Sequence, residues 1–311
     1  MFFDFSDLIS KILILYLCML AGIYARKRNY INKDSLKSIS SLVANVTNPL
    51  LIISSFQIDF SKDILASGAG IILASFLIHV FSAAISYLIF RKTEKQKTRS
   101  VYECATIFSN CAFMGYPLLM VLFGNEGLVY GVFYTSFFNI FFWSYGLCVL
   151  SRHKEKAKIS AKKVLLNAGT VPTIIGLIMF IFSIKLPYIV YESSVMVGNT
   201  TFPLAMIIIG GLICDLDFKT AFREIELYLS CFVKLLIIPI CTIFACKLLH
   251  ASPVVTYTSI IMASTPSATF VAIFAGLYDV DSTAAAKAVG FSHIISMATI
   301  PLVMMLANAV I

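Results

Sequence analysis

Long apolar runs separated by short polar segments dominate the sequence. Residues 71–90 contain no Asp, Glu, Lys or Arg, and residues 230–245 contain a single lysine. A helix needs about 20 consecutive apolar residues to cross the hydrocarbon core of a bilayer, which is longer than most buried helices of soluble proteins. The pattern predicts ten membrane spans, at residues 7–25, 36–56, 64–90, 101–124, 127–150, 164–184, 188–213, 225–249, 255–278 and 284–308.

One polar, proline-containing pattern occurs twice within these runs. VANVTNPL at residues 43–50 and VGNTTFPL at residues 197–204 agree at five of eight positions, at a separation of 154 residues. The two copies align Pro49 with Pro203 and Asn45 with Asn199. We interpret this as an internal repeat about half the chain long. These residues either line a wall of a binding site or form helix kinks whose freed carbonyls bond to neighbouring side chains.

The distribution of basic residues predicts the topology. Of the 24 Lys and Arg residues, nineteen lie in the loops after spans 1, 3, 5, 7 and 9, and four lie on the opposite side. Cytoplasmic loops of membrane proteins are enriched in Lys and Arg, so both termini are predicted to be extracytoplasmic. Five spans separate the two repeat copies, and an odd number reverses direction. The halves are therefore predicted to be inverted, as in many carriers.

Composition supports a multi-pass protein of the cell membrane. Hydrophobic residues make up 59% of the chain and charged residues 13%. The net charge of +8 is accounted for by the loops, so no nucleic-acid partner is expected. The acidic start MFFDFSD lacks a basic n-region, so the first span is expected to be retained. The eight cysteines lie in apolar stretches without a CxxC, and we interpret them as small buried packing residues.

Helix-breaking residues interrupt two of the predicted spans at similar places. Span 4 contains FSNCAFMGYP, with Asn110, Gly115 and Pro117, and span 9 contains ASTPSATF, with Pro266 in the middle. Aligning Ser109 with Ser264 gives a separation of 155, close to that of the first repeat. Matching interruptions in two halves are the best sequence indication of a transport site. The half-helix N-termini that follow the breaks favour an anion such as a carboxylate.

Three ionisable residues are candidates for ion coupling or for pairing with the substrate. Lys234 lies in the middle of span 8, and His79 is aligned with it at the same separation. Lys234 either pairs with a substrate carboxylate, or replaces a coupling cation, or is a structural lysine against carbonyls of a broken helix. His79 is either a proton carrier or a satisfied polar residue. Glu103, near the start of span 4, is a further candidate for proton coupling, and both H⁺ and Na⁺ remain open as coupling ions.

Three segments of this sequence resemble the auxin efflux carrier family, also called the PIN-like or malonate-transporter-like carriers, in its short bacterial form. They are SNCAFMGYPLLMVLFG at 109–124, TPSATFVAIFAGLYDVD at 265–281 and NPLLI at 48–52. The resemblance implies a scaffold of spans 1, 2, 6 and 7, a transport domain of spans 3–5 and 8–10, an elevator-type movement and a homodimer. It places Asn110 and Pro266 at crossing breaks that hold the substrate, with Cys111, Thr265 and Ser267 beside them. The NPNTY-like element of plant members is absent, which favours a generic organic anion over indole acetate.

Together these patterns predict an all-α integral membrane protein whose helices 4 and 9 are broken and cross. The expected units are a five-helix repeat at 1–151, a basic cytoplasmic linker at 152–163 and an inverted repeat at 164–311. The predicted function is secondary active transport of small mono- or dicarboxylates, with an ion or solute channel and a membrane-embedded carboxylate sensor as alternatives. Neither an enzyme activity nor a cofactor or metal site is expected, because the sequence contains no HExxH and no recognisable catalytic grouping.

Overall fold

The computed structural model of the protein describes residues 5–153, 166–214, 216 and 224–311, and over these ranges it contains helices and no β-strand. The predicted linker lies largely outside the described residues, which include only Arg152 and His153 of it. The helices are α1 (Phe5–Lys27), α2 (Lys33–Ser55), α3 (Lys62–Phe90), α4 (Gln96–Ile107), α5 (Cys111–Phe123), α6 (Glu126–Ser151), α7 (Thr170–Ile181), α8 (Tyr188–Cys214), α9 (Ile225–Leu248), α10 (Pro253–Ser264), α11 (Thr269–Leu277) and α12 (Ser282–Val310).

Seven described helices, α1, α2, α3, α6, α8, α9 and α12, are long and apolar enough to cross a membrane. Three shorter apolar helices, α5, α7 and α10, accompany them. The prediction of an all-helical integral membrane protein is confirmed at this level. Predicted spans 4 and 9 each consist of two consecutive helices, α4 with α5 and α10 with α11, because the chain leaves the helical conformation between them.

Prolines shape three of the helices in the same way. A five-residue π-helical turn precedes Pro49 in α2, Pro117 in α5 and Pro239 in α9, and each turn begins six residues before its proline. Proline lacks an N–H and clashes with the carbonyl four residues earlier, and a wider turn at that point relieves the clash without ending the helix. Pro203 differs, since it follows Thr200, where α8 is interrupted without a π turn.

The helices pack as two groups. In the first group, α1 packs along α8, and α2 packs against α7 and α8. Gly22 and Gly210 lie where α1 and α8 cross, and a Cβ at either residue would collide with the backbone of the other helix. In the second group, α3 packs against α4, α6 and α10, and α12 packs against α4, α10 and α11. This arrangement leaves an interface between the two groups.

Polar contacts join the loop ends of the second group. Lys97 pairs with Asp279 at 2.7 Å, and Thr98 donates to Asp281 at 2.8 Å, which ties the start of α4 to the loop before α12. Glu224 accepts from Tyr102 at 2.5 Å and from Lys287 at 2.6 Å. These contacts connect α4, α9 and α12, so the group is cross-linked at one end.

The cysteine prediction is wrong for part of the set. Cys104, Cys111, Cys231 and Cys246 are buried, whereas Cys148 and Cys241 are exposed on the outside of the helix bundle. In a membrane protein the outer surface is itself apolar, so an apolar sequence context does not distinguish a buried cysteine from an exposed one.

Candidate functional site

The two helix breaks meet and satisfy each other's backbone. Asn110 N donates to Pro266 O at 2.7 Å, and Ala268 N donates to Phe108 O at 2.8 Å, which forms an isolated antiparallel bridge between Ser109 and Ser267. Buried backbone groups in an apolar environment need such partners. The predicted interruptions are therefore present, but the bridge pairs Ser109 with Ser267 and not with Ser264, which the sequence separation had aligned with it.

A cavity of about 1360 Å³ reaches from the breaks to one end of the bundle. It lies between the two helix groups, with α2 and α8 on one side and α5, α6, α11 and α12 on the other. Lys33, Lys37, Leu166 and Lys287 lie at its mouth, in or beside the loops that follow predicted spans 1, 5 and 9. The cavity thus opens at the end of the protein where the basic loops are found.

The base of the cavity is built from the beginnings of two helices. Asn110 to Phe113 line it at the start of α5, and Ala268 to Phe270 line it at the start of α11, whereas no residue of α4 or α10 does. Helix N-termini present unpaired N–H groups and the positive end of the helix dipole. Among the described residues that line the cavity there are three lysines and no aspartate or glutamate; Lys287 pairs with Glu224 and Lys37 with Asp34, and neither of these carboxylates lines the cavity. The lining therefore favours an anion.

Asn110 is held at the base of the cavity by His293 of α12. His293 Nδ1 lies 2.7 Å from Val289 O, so this nitrogen carries the hydrogen and Nε2 accepts from Asn110 Nδ2 at 2.9 Å. Both side chains are buried. Tyr16 of α1 donates its hydroxyl to His293 O and lies 2.8 Å from Ser296 Oγ, which joins the first helix group to the residue that orients Asn110.

The polar side chains of the second break form hydrogen bonds to main-chain groups. Ser267 Oγ donates to Ala105 O at 2.8 Å, and Ser267 N donates to Ser292 Oγ at 3.0 Å. Thr265 Oγ1 donates to Met262 O at 2.9 Å. The two hydroxyls satisfy carbonyls at the ends of α4 and α10 that have no helical partner, and Ser292 satisfies the main-chain N–H of Ser267. Thr265, Pro266 and Ser267 are buried and do not line the cavity, so the structure does not bring them to its surface.

Lys234 lies behind the breaks. Its ammonium donates to Ser109 Oγ and lies 3.5 Å from Ala263 O, one of the last carbonyls of α10. The side chain is buried and does not line the cavity, whereas Ser109 does. Among the described residues no carboxylate forms an ion pair with it. Lys234 therefore contacts the unwound segment from outside the cavity lining.

The two other ionisable candidates lie away from the cavity. His79 Nδ1 lies 2.7 Å from Ser75 O, and its ring is surrounded by five aromatic rings, those of Phe108, Tyr134, Phe137, Phe138 and Phe141. Glu103 is fully buried and pairs with Arg99 at 2.6 Å and with Arg152. The pair with Arg99 lies within α4, and the pair with Arg152 connects α4 to the end of α6.

The residues of the repeated pattern occupy different environments in the structure. Thr201 Oγ1 donates to Thr47 Oγ1 at 2.7 Å, so two residues aligned at the separation of 154 touch each other in the first helix group. Asn45 lines the cavity and donates to Ser41 O at 2.9 Å. Asn199 is exposed and is not among the cavity residues. Of the remaining hinge candidates, Gly115 lies in the π turn of α5, where a Cβ would press against Met262.

Sequence reasoning missed Thr269, which lines the cavity and has a side-chain oxygen without a partner. Thr269 is the first residue of α11, and its Oγ1 is buried and forms no hydrogen bond within the described structure. Asn48, which belongs to the repeated pattern and lies in α2 just after its π turn, also lines the cavity, and its buried Oδ1 accepts no hydrogen bond within the described structure. Thr269 could have been found from its position three residues after Pro266, since a helix restarting there would begin at this threonine. An aromatic wall of Phe138, Phe142, Trp143, Phe270 and Phe274 was missed as well.

Comparison with known proteins identifies the family. A family model described as membrane transport protein matches residues 7–304, nearly the whole chain. The chain is a member of the auxin efflux carrier family. An uncharacterized transporter of Methanothermobacter thermautotrophicus is 24% identical over 97% of this chain and 98% of its own length. An uncharacterized transporter of Methanocaldococcus jannaschii is 21% identical over 94% of this chain and 96% of its own. The family and these relatives are transporters, and the family assignment and apolar helices support a multi-pass membrane protein.

Proposed function

We propose that this family member is a secondary active carrier of small organic anions, such as mono- or dicarboxylates. The observation that carries the proposal is the base of the cavity, where the N-termini of α5 and α11 converge beside Asn110. One N–H of the Asn110 amide is used by His293, which leaves the second for a carboxylate oxygen. Hydrogen bonds to a charged group are roughly twice as strong as neutral ones.

The hydroxyl of Thr269 supplies a further contact to the bound anion in this proposal. Thr269 Oγ1 has no partner in the described structure and lies at the positive end of α11, where a carboxylate is stabilised by the helix dipole. Lys33 and Lys37 are exposed at the mouth and would attract an anion from solution and raise its entry rate, whereas Glu224 balances the charge of the buried Lys287. No carboxylate of the described lining would oppose it.

Inverted symmetry of two five-helix halves is part of the proposal. One contact supports it, because residues related by a two-fold axis can touch each other on that axis. Thr201 Oγ1 donates to Thr47 Oγ1, and these two residues are aligned at the separation of 154. Each half would contribute one broken helix, and ten spans would result if α4 with α5, and α10 with α11, each cross as one.

The two helix groups suit an elevator-type movement. The first group, α1, α2, α7 and α8, would be the scaffold and the second the transport domain, which carries both breaks as one body. The cavity between them opens at the basic end, which is cytoplasmic if the loop charges set the orientation, with both termini extracytoplasmic. A homodimer through the scaffold in the cell membrane completes the proposal.

Uptake into proteoliposomes tests the proposal. Radiolabelled malonate, malate and short monocarboxylates are compared with glycerol and choline, and at least one anion should accumulate while neutral and cationic compounds do not. Asn110→Ala should reduce that uptake more than tenfold, since about 1.5–3 kcal/mol is lost with a hydrogen bond to a charged group. Asn199→Ala is the matched control, because this asparagine lies outside the cavity. Equal uptake by both variants would reject the site, and single-channel currents would favour a channel over a carrier.

A further inference from the structure

The two faces of the crossing breaks differ in charge. The cavity face presents the N-termini of α5 and α11, whose dipole ends are positive. Outside the cavity lining, the breaks present the C-terminal end of α10, where Ala263 O is one of the last four carbonyls and has no helical partner. Cations are stabilised at such an end. Lys234 places its ammonium there, against Ala263 O and Ser109 Oγ.

A buried lysine without a carboxylate partner is costly at membrane depth. On insertion scales a lysine at the centre of a spanning helix costs about 2.5–3.5 kcal/mol. Lys234 is buried, and two acidic residues of the same helix group are engaged elsewhere: Glu103 with two arginines and Glu224 with Tyr102 and Lys287. The oxygens it contacts, a hydroxyl and a main-chain carbonyl, are the kinds of ligand that bind Na⁺ at broken helices.

We propose that the Lys234 ammonium is a built-in replacement for a coupling cation at the crossing breaks. It fills a site on the cation-favouring face and reaches, through Ser109, the segment that lines the anion cavity. The charge that a dissociable Na⁺ would bring is then part of the protein, so the wild-type carrier needs no Na⁺ to hold the breaks in their anion-binding arrangement. The inference rests on the proposed function, but it is tested by a measurement that needs no substrate.

Chemical rescue of Lys234→Ala tests the assignment without any substrate. The purified variant is heated in detergent with choline chloride, sodium chloride or ethylammonium chloride, and its melting temperature is recorded. Truncation leaves a space next to Ser109 Oγ and Ala263 O, so Na⁺ or ethylammonium should raise the melting temperature by several degrees above the value in choline. The melting temperature of the wild-type protein should be the same in the three salts.

Two further variants keep the test decisive. Lys234→Met fills the space without a charge, so it should be destabilised and should not respond to either cation. Ser109→Ala combined with Lys234→Ala removes one oxygen ligand and should lose most of the rescue. If Lys234→Ala responds to none of the cations, or if Lys234→Met is as stable as the wild type, the cation assignment is overturned. A rescue seen in a protein that takes up no anion would uphold the cation site while rejecting the proposed function.

Discussion

At the first helix break Ser109 and Asn110 line the cavity, whereas at the second break Thr265, Pro266 and Ser267 lie behind its surface. Both breaks consist of small polar residues near a proline, and both are followed by a short apolar helix. They differ in the partners of their side chains. Asn110 is held by a histidine of another helix, while Ser267 and Thr265 satisfy main-chain carbonyls.

The two similar breaks therefore have different roles: the second satisfies main-chain groups, and the first contributes a side chain to the cavity surface. An unwound segment frees carbonyls and N–H groups that must be satisfied inside the membrane. The second break meets this need with its own hydroxyls, together with Ser292. Because those side chains are occupied by the backbone, the second break offers a ligand only the beginning of α11. The first break keeps Asn110 at the cavity surface.

The largest effect on affinity is expected at His293, and its neighbour Ser292 supplies the comparison variant. His293→Leu removes the acceptor of Asn110 Nδ2, so Asn110 loses its orientation and affinity for the transported anion should fall about tenfold or more. Ser292→Ala removes the acceptor of Ser267 N and should lower stability by about 1 kcal/mol with little change in affinity. Trp143, the single tryptophan, lines the cavity, so quenching of its fluorescence measures binding. Equal losses of affinity in the two variants would contradict the division between the breaks.

A smaller effect is expected from isosteric changes of two threonines. Thr269→Val removes a hydroxyl that faces the cavity, and it should weaken anion binding about fivefold, corresponding to a net hydrogen bond of about 1 kcal/mol. Thr265→Val removes the donor to Met262 O, so it should lower the melting temperature and leave the dissociation constant nearly unchanged. Fluorescence titration and thermal unfolding of both variants give the comparison. The interpretation fails if Thr265→Val is the variant that loses affinity.

The contact between Thr47 and Thr201 should affect stability alone. Each single change to valine leaves one buried hydroxyl without its partner, and the double change removes both groups together. A double-mutant cycle on the free energy of unfolding should therefore give a coupling of about 0.5–1 kcal/mol, while anion binding stays unchanged. A coupling near zero would indicate that the two hydroxyls do not bond to each other in the folded protein.

The smallest effect is expected from the two asparagines of the repeated pattern. Asn45 lines the cavity but its amide is occupied by Ser41, so Asn45→Ala should change affinity about twofold. Asn199→Ala should change it less, since Asn199 is exposed outside the cavity. Side-by-side uptake rates provide the check, and a larger loss in Asn199→Ala would place this asparagine in the transport path.

Much of the fold follows from local sequence. Apolar runs predict where the helices lie, and the described helices coincide with them to within a few residues over most of the chain. Asn110 and Pro266 lie at the two breaks, whereas Pro117 marks the π turn after the first break, because proline acts on the turn that precedes it. The register of the bridge was not predictable from the same evidence. Ser109 pairs with Ser267 in an antiparallel bridge, and the alignment of two repeat copies does not reveal which of their residues touch.

Sequence patterns are enough to identify this chain as a helical membrane protein of a transporter family, with basic loops and two interrupted apolar segments. The packing of the helices determines which residues of each interruption line the cavity, that Thr269 and Asn48 belong to this lining, and that Lys234 contacts Ser109 without lining the cavity. Helix periodicity and proline sterics are local and can be read from a string of residues. The side chains that surround an unwound segment come from distant helices, so their positions depend on how the whole bundle packs.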